Sequence, residues 1–238
     1  MSHTLRLPYQ SRAGFVFNID PGLVEPIEHL IDEISEEVAE QKAAGKFFAY
    51  LSVPISSRGG GHFQTNTDMA AAITADVERQ FGDQLWVLNP AKYNLPKSAR
   101  GGDYMAVWAD VLAGPDGKGS LIDMVYFVGP KDVWSFFGAT CDDRIGTVAA
   151  WLDAHAKTSK SLKEIAEDPE KRARFLRYYA IRGSSAYSKG AHDEWNLVMR
   201  FNGYREIGDD IAVYFNGEPI EPGDYDDDTD AGYQLLLH

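Results

Sequence analysis

Four short apolar runs alternate along the chain with segments of helical periodicity, and this alternation constrains the possible folds most strongly. The runs cover residues 46–53, 85–88, 121–128 and 210–215. A short run without polar alternation is typical of a strand that is covered on both faces. Strands that alternate with helices form right-handed βαβ units. The pattern therefore predicts an α/β fold with a short, doubly wound parallel sheet of four or five strands.

The remaining segments divide the chain into four predicted parts. Residues 1–45 combine an irregular arm with a helix that begins at Asp20-Pro21, where Asp caps and Pro opens the first turn. Residues 46–130 and 183–216 form the flavodoxin- or Rossmann-like core. Residues 131–182 are a helical insertion, a possible lid over a site, and residues 217–238 are an acidic tail. Three further helices are expected in the core, near 66–81, 104–112 and 192–202.

The formal net charge of −13 argues against a surface for nucleic-acid polymers, which requires clustered Lys and Arg. It does not exclude a small anionic ligand, which needs only local donors. The chain has one cysteine, Cys141, and no Cys/His cluster, so neither a disulfide nor a metal site is expected. It has no apolar run of about 18 residues and no secretory signal pattern, so no membrane partner and a cytoplasmic location are expected.

Ligands of open α/β sheets bind beyond the carboxyl ends of the strands. In this chain, the segments that follow the predicted strands or precede the last helix are rich in Gly, Ser and other polar residues. We therefore expect the binding site to be built from the loops 54–64, 89–102, 129–143 and 183–194.

The first of these loops, Ile55–His62, contains Ser57 and Arg58 followed by three glycines. Glycine lets backbone N–H groups approach an anion, a helix N-terminus favours negative charge, and Arg can bind phosphate with two hydrogen bonds. The loop is neither a P-loop nor a dinucleotide-binding fingerprint. It indicates either a sugar- or phosphate-binding loop or a flexible surface turn.

The last loop leads from Ser184 to Glu194 at the start of a helix. A carboxylate in the first turn is stabilised as an anion by the helix dipole, which suits a nucleophile. Simple charge complementarity at a helix end would produce the same pattern. The neighbouring acid Asp193 leaves open which of the two carboxylates faces a ligand.

Two further aspartates occupy positions that invite a functional interpretation. Asp110 lies beside the apolar stripe of a predicted helix, where it either reaches the strand ends or is solvated. Asp123 lies within the third predicted strand, where a carboxylate needs either an exposed edge or a buried partner.

The order of these features resembles the nucleoside 2-deoxyribosyltransferase-like superfamily, including its nucleoside 5'-monophosphate N-glycosidases. The segment Tyr50–Gly61 is similar to the family's first strand and its Ser/Arg/Gly loop. Asn89 ends the second strand, a helix with Asp110 follows, and Asp123 lies in the third strand. The turn Ser188–Glu194 resembles the Ser-x-Gly turn that leads to the family's nucleophilic Glu.

The resemblance implies cleavage of an N-glycosidic bond through an oxocarbenium-like transition state. Glu194 would attack the anomeric carbon, with Asp110 or Asp123 orienting it or the departing base. Tyr50 and hydroxyl side chains would bind the sugar or the nucleophile, and the Ser57–Gly60 loop would hold the 5' end. The candidate catalytic residues are Glu194, Asp110 and Tyr50. The candidate substrate-binding residues are Ser52, Ser57, Arg58, Gly59, Gly60, Asn89, Asp123, Ser188 and Gly190.

The expected ligand is therefore a nucleoside or nucleotide, handled without metal or organic cofactor by a homodimer or larger homo-oligomer. Three other interpretations stay open. The first is a non-catalytic nucleotide sensor on the same fold, because fold does not determine function. The second is an effector that cleaves NAD by the same chemistry. The third is an unrelated flavodoxin- or Rossmann-like domain.

Overall fold

A computed structural model describes residues 5–140, 142–206, 208–221 and 229–235. Its strands are β1 Leu7–Gln10, β2 Val16–Ile19, β3 Phe47–Ser52, β4 Leu85–Leu88, β5 Met124–Phe127, β6 Ala212–Phe215 and β7 Glu218–Ile220. Its α-helices are α1 Val24–Ala43, α2 Phe63–Phe81, α3 Gly101–Ala113, α4 Pro130–Phe137, α5 Arg144–His155, α6 Lys160–Glu167, α7 Pro169–Arg177 and α8 Lys189–Asn202.

The central sheet has the strand order β4-β3-β5-β6-β7. The four predicted strands, β3 to β6, pair in parallel, as expected. The prediction of a purely parallel sheet is corrected at one edge, where β7 pairs antiparallel with β6. The reversal occurs at Asn216-Gly217, which both have positive φ, as a two-residue hairpin turn requires. The fold is therefore α/β with a mixed, mostly parallel sheet.

Helices cover both faces of the sheet. The side chains of β3 alternate between two hydrophobic cores. Phe48 and Tyr50 face α1, α3 and α8. Ala49 and Leu51 face α2 and the helices α4 to α7. This division follows from the two-residue period of a strand. Both faces are apolar, which explains why the strands appear in the sequence as nearly continuous apolar runs.

The prediction of an irregular arm over residues 1–19 is wrong. Strands β1 and β2 form an antiparallel hairpin in which Tyr9 pairs with Phe17. Phe17 and Ile19 are buried against α3, and Gly102 lets the backbone of Asn18 come close to that helix. The hairpin thus adds a layer to the first core, which a two-stranded ribbon could not form on its own.

The predicted helices form, with boundaries that shift by a few residues. The insertion 131–182 contains α5, α6 and α7 as expected, together with most of α4, which the sequence analysis did not predict. Its apolar residues belong to the second core, so it is packed on the sheet. Of the predicted acidic tail, residues 222–228 and 236–238 lie outside the described residues, as does Cys141.

Among the helices in the described parts of the chain, none is both long enough and apolar enough to cross a membrane.

Candidate active site

A cavity of about 480 Å³ lies at the carboxyl ends of β3 and β4. Four parts of the chain form its wall. They are the end of β3 with the loop that follows it, the loop after β4 with the first turns of α3, the start of α8, and one residue near the C-terminus. Its polar lining includes Tyr50, Ser56, Ser57, Arg58, Tyr93, Asn94, Lys97, Arg100, Tyr104, Ser188, Glu194 and Tyr233. The volume lies in the range of pockets that bind small molecules.

Glu194 is the buried carboxylate of this cavity, with only 6% of its surface exposed. The hydroxyl of Tyr50 donates to Oε1 over 2.6 Å, and the hydroxyl of Ser52 donates to Oε2 over 2.5 Å. Tyr50 and Ser52 are two positions apart on β3 and therefore point to the same face. Each carboxylate oxygen thus has one hydroxyl donor, which fixes the orientation of the side chain.

Burial raises the pKa of Glu194 from 4.5 to about 7, and the nearby charge of Asp193 acts in the same direction. The hydrogen bonds from Ser52 and Tyr50 oppose this shift because they stabilise the anion. Burial and the Glu194 carboxylate also raise the pKa of the Tyr50 hydroxyl, which therefore stays a donor. Near neutral pH, the Glu194 carboxyl is therefore present in both its protonated and its ionised form, and shifts of this kind are frequent in catalytic carboxylates.

The two neighbouring acids on α8 have different partners. Asp193 accepts hydrogen bonds from the backbone N–H groups of Gly232, Tyr233 and Gln234, over 2.9, 2.6 and 3.3 Å. Only Glu194 reaches the cavity, which removes the ambiguity between the two carboxylates.

The expected position of Glu194 in the first helical turn is wrong. Helix α8 begins earlier, at Lys189, with Ser188 as its N-cap. Glu194 lies one turn further into the helix, beyond the first turn in which the helix dipole acts, and burial raises the pKa of its carboxyl.

The charge of the cavity differs from the charge of the whole chain. Arg58, Lys97 and Arg100 line it, and Glu194 is the only acid among the described residues of the lining. Within the described parts of the chain, no ion pair neutralises these three cations. An anionic ligand would therefore find a locally positive entrance on a chain with a net charge of −13.

The Ser/Arg/Gly loop contributes Ser57 and Arg58 to the cavity, whereas Gly59 and Gly60 shape its backbone outside the lining. Gly59 and Gly60 have φ of 77° and 113°. A Cβ on Gly60 would lie 2.5 Å from the carbonyl oxygen of Arg174 on α7. The glycines thus allow the turn to pack against the insertion.

The insertion 131–182 supports this loop from outside. The hydroxyl of Tyr179 donates to Asn66 Oδ1, and the His62 ring contacts Ser161 over 2.9 Å. No described residue of the insertion lines the cavity. The contacts above place the insertion against the loop and the start of α2, and its role as a lid stays a prediction.

Six predicted site residues lie outside the cavity lining: Ser52, Gly59 and Gly60, described above, and Asp110, Asp123 and Asn89. Asp110 accepts hydrogen bonds from Tyr9 and from the Arg12 backbone, so it anchors the β1–β2 hairpin. Asp123 accepts from the Phe48 backbone and Lys42 at the amino end of the sheet. Asn89 is buried beside the cavity and caps the turn that begins at Pro90. The predicted residues Ser188 and Gly190 do line the cavity.

The sequence analysis missed the aromatic wall of the cavity. The Trp108 ring lies 5.9 Å from the Tyr50 ring and 6.1 Å from the Tyr93 ring, measured between centroids. Trp108 belongs to the apolar stripe of α3 and Tyr93 follows a short turn, so neither position distinguishes a cavity residue from a packing residue. Lys97, Arg100 and Tyr233 were missed as well, since nothing local distinguishes a cavity residue in a polar loop.

Comparisons with models of protein families, with curated proteins and with solved structures found no match.

Proposed function

We propose that the protein cleaves the N-glycosidic bond of a nucleoside or nucleoside 5'-monophosphate, with Glu194 as the nucleophile. The observation that carries this proposal is the buried Tyr50–Glu194–Ser52 arrangement at a cavity with aromatic and cationic walls. A carboxylate held by two hydroxyl donors is oriented for attack on one carbon atom.

In the proposed reaction, a Glu194 oxygen bonds to the anomeric carbon as the bond from that carbon to the base nitrogen breaks. The bonding electrons leave with the base, which takes up a proton. Water, or a second base in a transfer reaction, then displaces Glu194 from the sugar. The hydroxyls of Tyr50 and Ser52 steady the carboxylate through both steps.

The cavity walls support the choice of substrate class. Tyr93, Tyr104 and Trp108 offer faces on which a base can stack. Arg58, Lys97 and Arg100 favour a group with negative charge, such as a 5'-phosphate.

We further propose that the sheet is doubly wound and flavodoxin-like. The order β4-β3-β5-β6 corresponds to the order 2-1-3-4 of a doubly wound, flavodoxin-like sheet, in which ligands bind at the carboxyl ends of the strands. A homo-oligomeric state and a cytoplasmic location follow from the family resemblance and the composition. Light scattering coupled to size-exclusion chromatography measures the oligomeric state.

A chromatographic assay for free base tests the proposed function. The protein is incubated with ribo- and deoxyribonucleosides, their 5'-monophosphates and NAD, in parallel with Glu194→Gln. The proposal expects base release by the wild type and none by the variant. If the folded wild-type protein releases no base from any compound, the proposal fails and a non-catalytic binding protein becomes the better interpretation.

A further inference from the structure

Residues 229–235, termed the C-terminal strap, run beside the cavity, and Tyr233 of this segment is part of its lining. The backbone N–H of Leu235 donates to the carbonyl of Val16 over 2.8 Å, and Gln234 forms an isolated bridge with Phe17. At the other end, Thr229 exchanges hydrogen bonds with the side-chain amide of Asn196. The strap therefore connects the β1–β2 hairpin to α8.

Asp193 holds the middle of the strap through three backbone N–H groups. The fit is close, since a Cβ on Gly232 would lie 1.7 Å from the carbonyl oxygen of Lys189. Only glycine allows this approach to α8. A carboxylate that accepts several backbone hydrogen bonds is a strong anchor.

This anchoring places Tyr233 in the lining of the cavity. Its ring lies on Gly101, the first residue of α3, where an added Cβ would lie 2.2 Å from the ring carbon Cζ. Tyr233 lines the same cavity as Glu194, and its anchor Asp193 is the residue next to Glu194. The strap and the candidate nucleophile are thus fixed to the same helical turn.

We propose that the C-terminal strap is a wall of the ligand cavity and that Tyr233 is a positioning residue that determines which ligands fit. The role of the strap as a wall rests on the packing of Tyr233 on Gly101 and on the hydrogen bonds to Asp193. The identity of the ligand, a nucleoside or nucleotide, rests on the proposed function.

The first test needs no ligand. In a Cys141→Ser background, Ala99→Cys places a single thiol in the cavity lining, two residues before Gly101, on which the Tyr233 ring lies. Its rate of reaction with Ellman's reagent reports access to the cavity. We expect Tyr233→Ala to raise this rate severalfold, because a segment that has lost its docked ring opens more easily. Tyr204→Ala, which removes an exposed tyrosine outside the cavity lining, is the matched control and should leave the rate unchanged.

Gly101→Ala is the second variant, because it displaces the Tyr233 ring without deleting it. The proposal expects faster labelling in this variant too, with circular dichroism confirming the fold. Unchanged labelling in both Gly101→Ala and Tyr233→Ala would overturn the strap as a wall.

The second test asks whether Tyr233 positions the ligand or only supports the fold. It uses a compound from which the wild type releases base. Tyr233→Ala should raise KM about tenfold with a small effect on kcat, and Tyr233→Phe should have an intermediate effect. Equal kcat and KM in all three proteins would overturn the positioning role. If no compound releases base, the proposed function fails, and the labelling rates still decide whether the strap closes the cavity.

Discussion

Glu194→Gln should make the protein more stable at neutral pH, although it removes the proposed nucleophile. The Glu194 carboxyl is buried, and its pKa rises from 4.5 to about 7 on folding. Folding therefore takes up a proton between these two pH values. The free energy of unfolding of the wild type should fall as the pH rises from 4.5 to about 7 and should then level off.

The size of the effect follows from the shift. Each pH unit corresponds to about 1.4 kcal/mol, so the ionisation of Glu194 costs the folded state about 3 kcal/mol above neutral pH. Glutamine has nearly the same shape and can keep a hydrogen bond to Tyr50, but it carries no charge. The difference in stability between Glu194→Gln and the wild type should thus grow by about 3 kcal/mol between acidic and mildly alkaline solution.

Urea unfolding of both proteins, at several pH values from about 4.5 to about 8, measures this difference. Glu40→Gln is the matched control, since Glu40 lies on the exposed face of α1. It removes the same charge without relieving burial, and its stability difference from the wild type should not change over this range. A difference for Glu194→Gln that is equally independent of pH would refute the reasoning that burial raises the pKa of the carboxyl.

Three further variants test the roles assigned to other residues. Tyr50→Phe removes a hydrogen bond that stabilises the Glu194 anion, so the midpoint of the pH profile of base release should move to higher pH. An unchanged profile would contradict the role of this hydrogen bond. Asp110→Ala leaves two hairpin donors without an acceptor and should cost about 2–4 kcal/mol in urea unfolding, without moving that midpoint. Gly60→Ala meets the Arg174 backbone at a positive φ and should lower Tm by several degrees, whereas an unchanged Tm would show that the turn can relax.

The strands and most helices could be predicted because their signals are local. The four buried strands appear as apolar runs, and the helical periodicity of α1 and α3 is visible in the sequence. The β1–β2 hairpin was missed because its strands have four residues each and its stability comes from contacts of Phe17 and Ile19 with a distant helix. Strand β7 was missed because it has only three residues, too few for a recognisable pattern.

The candidate site could be predicted only in part. Glu194 was singled out through its Gly-containing turn, and Tyr50 and Ser52 through the family resemblance. The structure brings the three side chains within hydrogen-bond distance. Asp110 was placed there by analogy, and its actual partners belong to a hairpin that the sequence analysis had not predicted. Tyr233 reaches the cavity only through the strap, a long-range contact that no local pattern reveals.

The central claim is that the Glu194 carboxylate becomes covalently bonded to the sugar, and rapid quenching in acid followed by mass spectrometry tests it most directly. The wild-type protein is mixed with a compound from which it releases base, quenched within the first turnover and digested. The account predicts that the peptide with Glu194 gains the mass of the sugar and that Glu194→Gln gains none. Base release without any sugar on this peptide, at quench times that span the first turnover, would contradict nucleophilic attack and assign Glu194 to activating water instead.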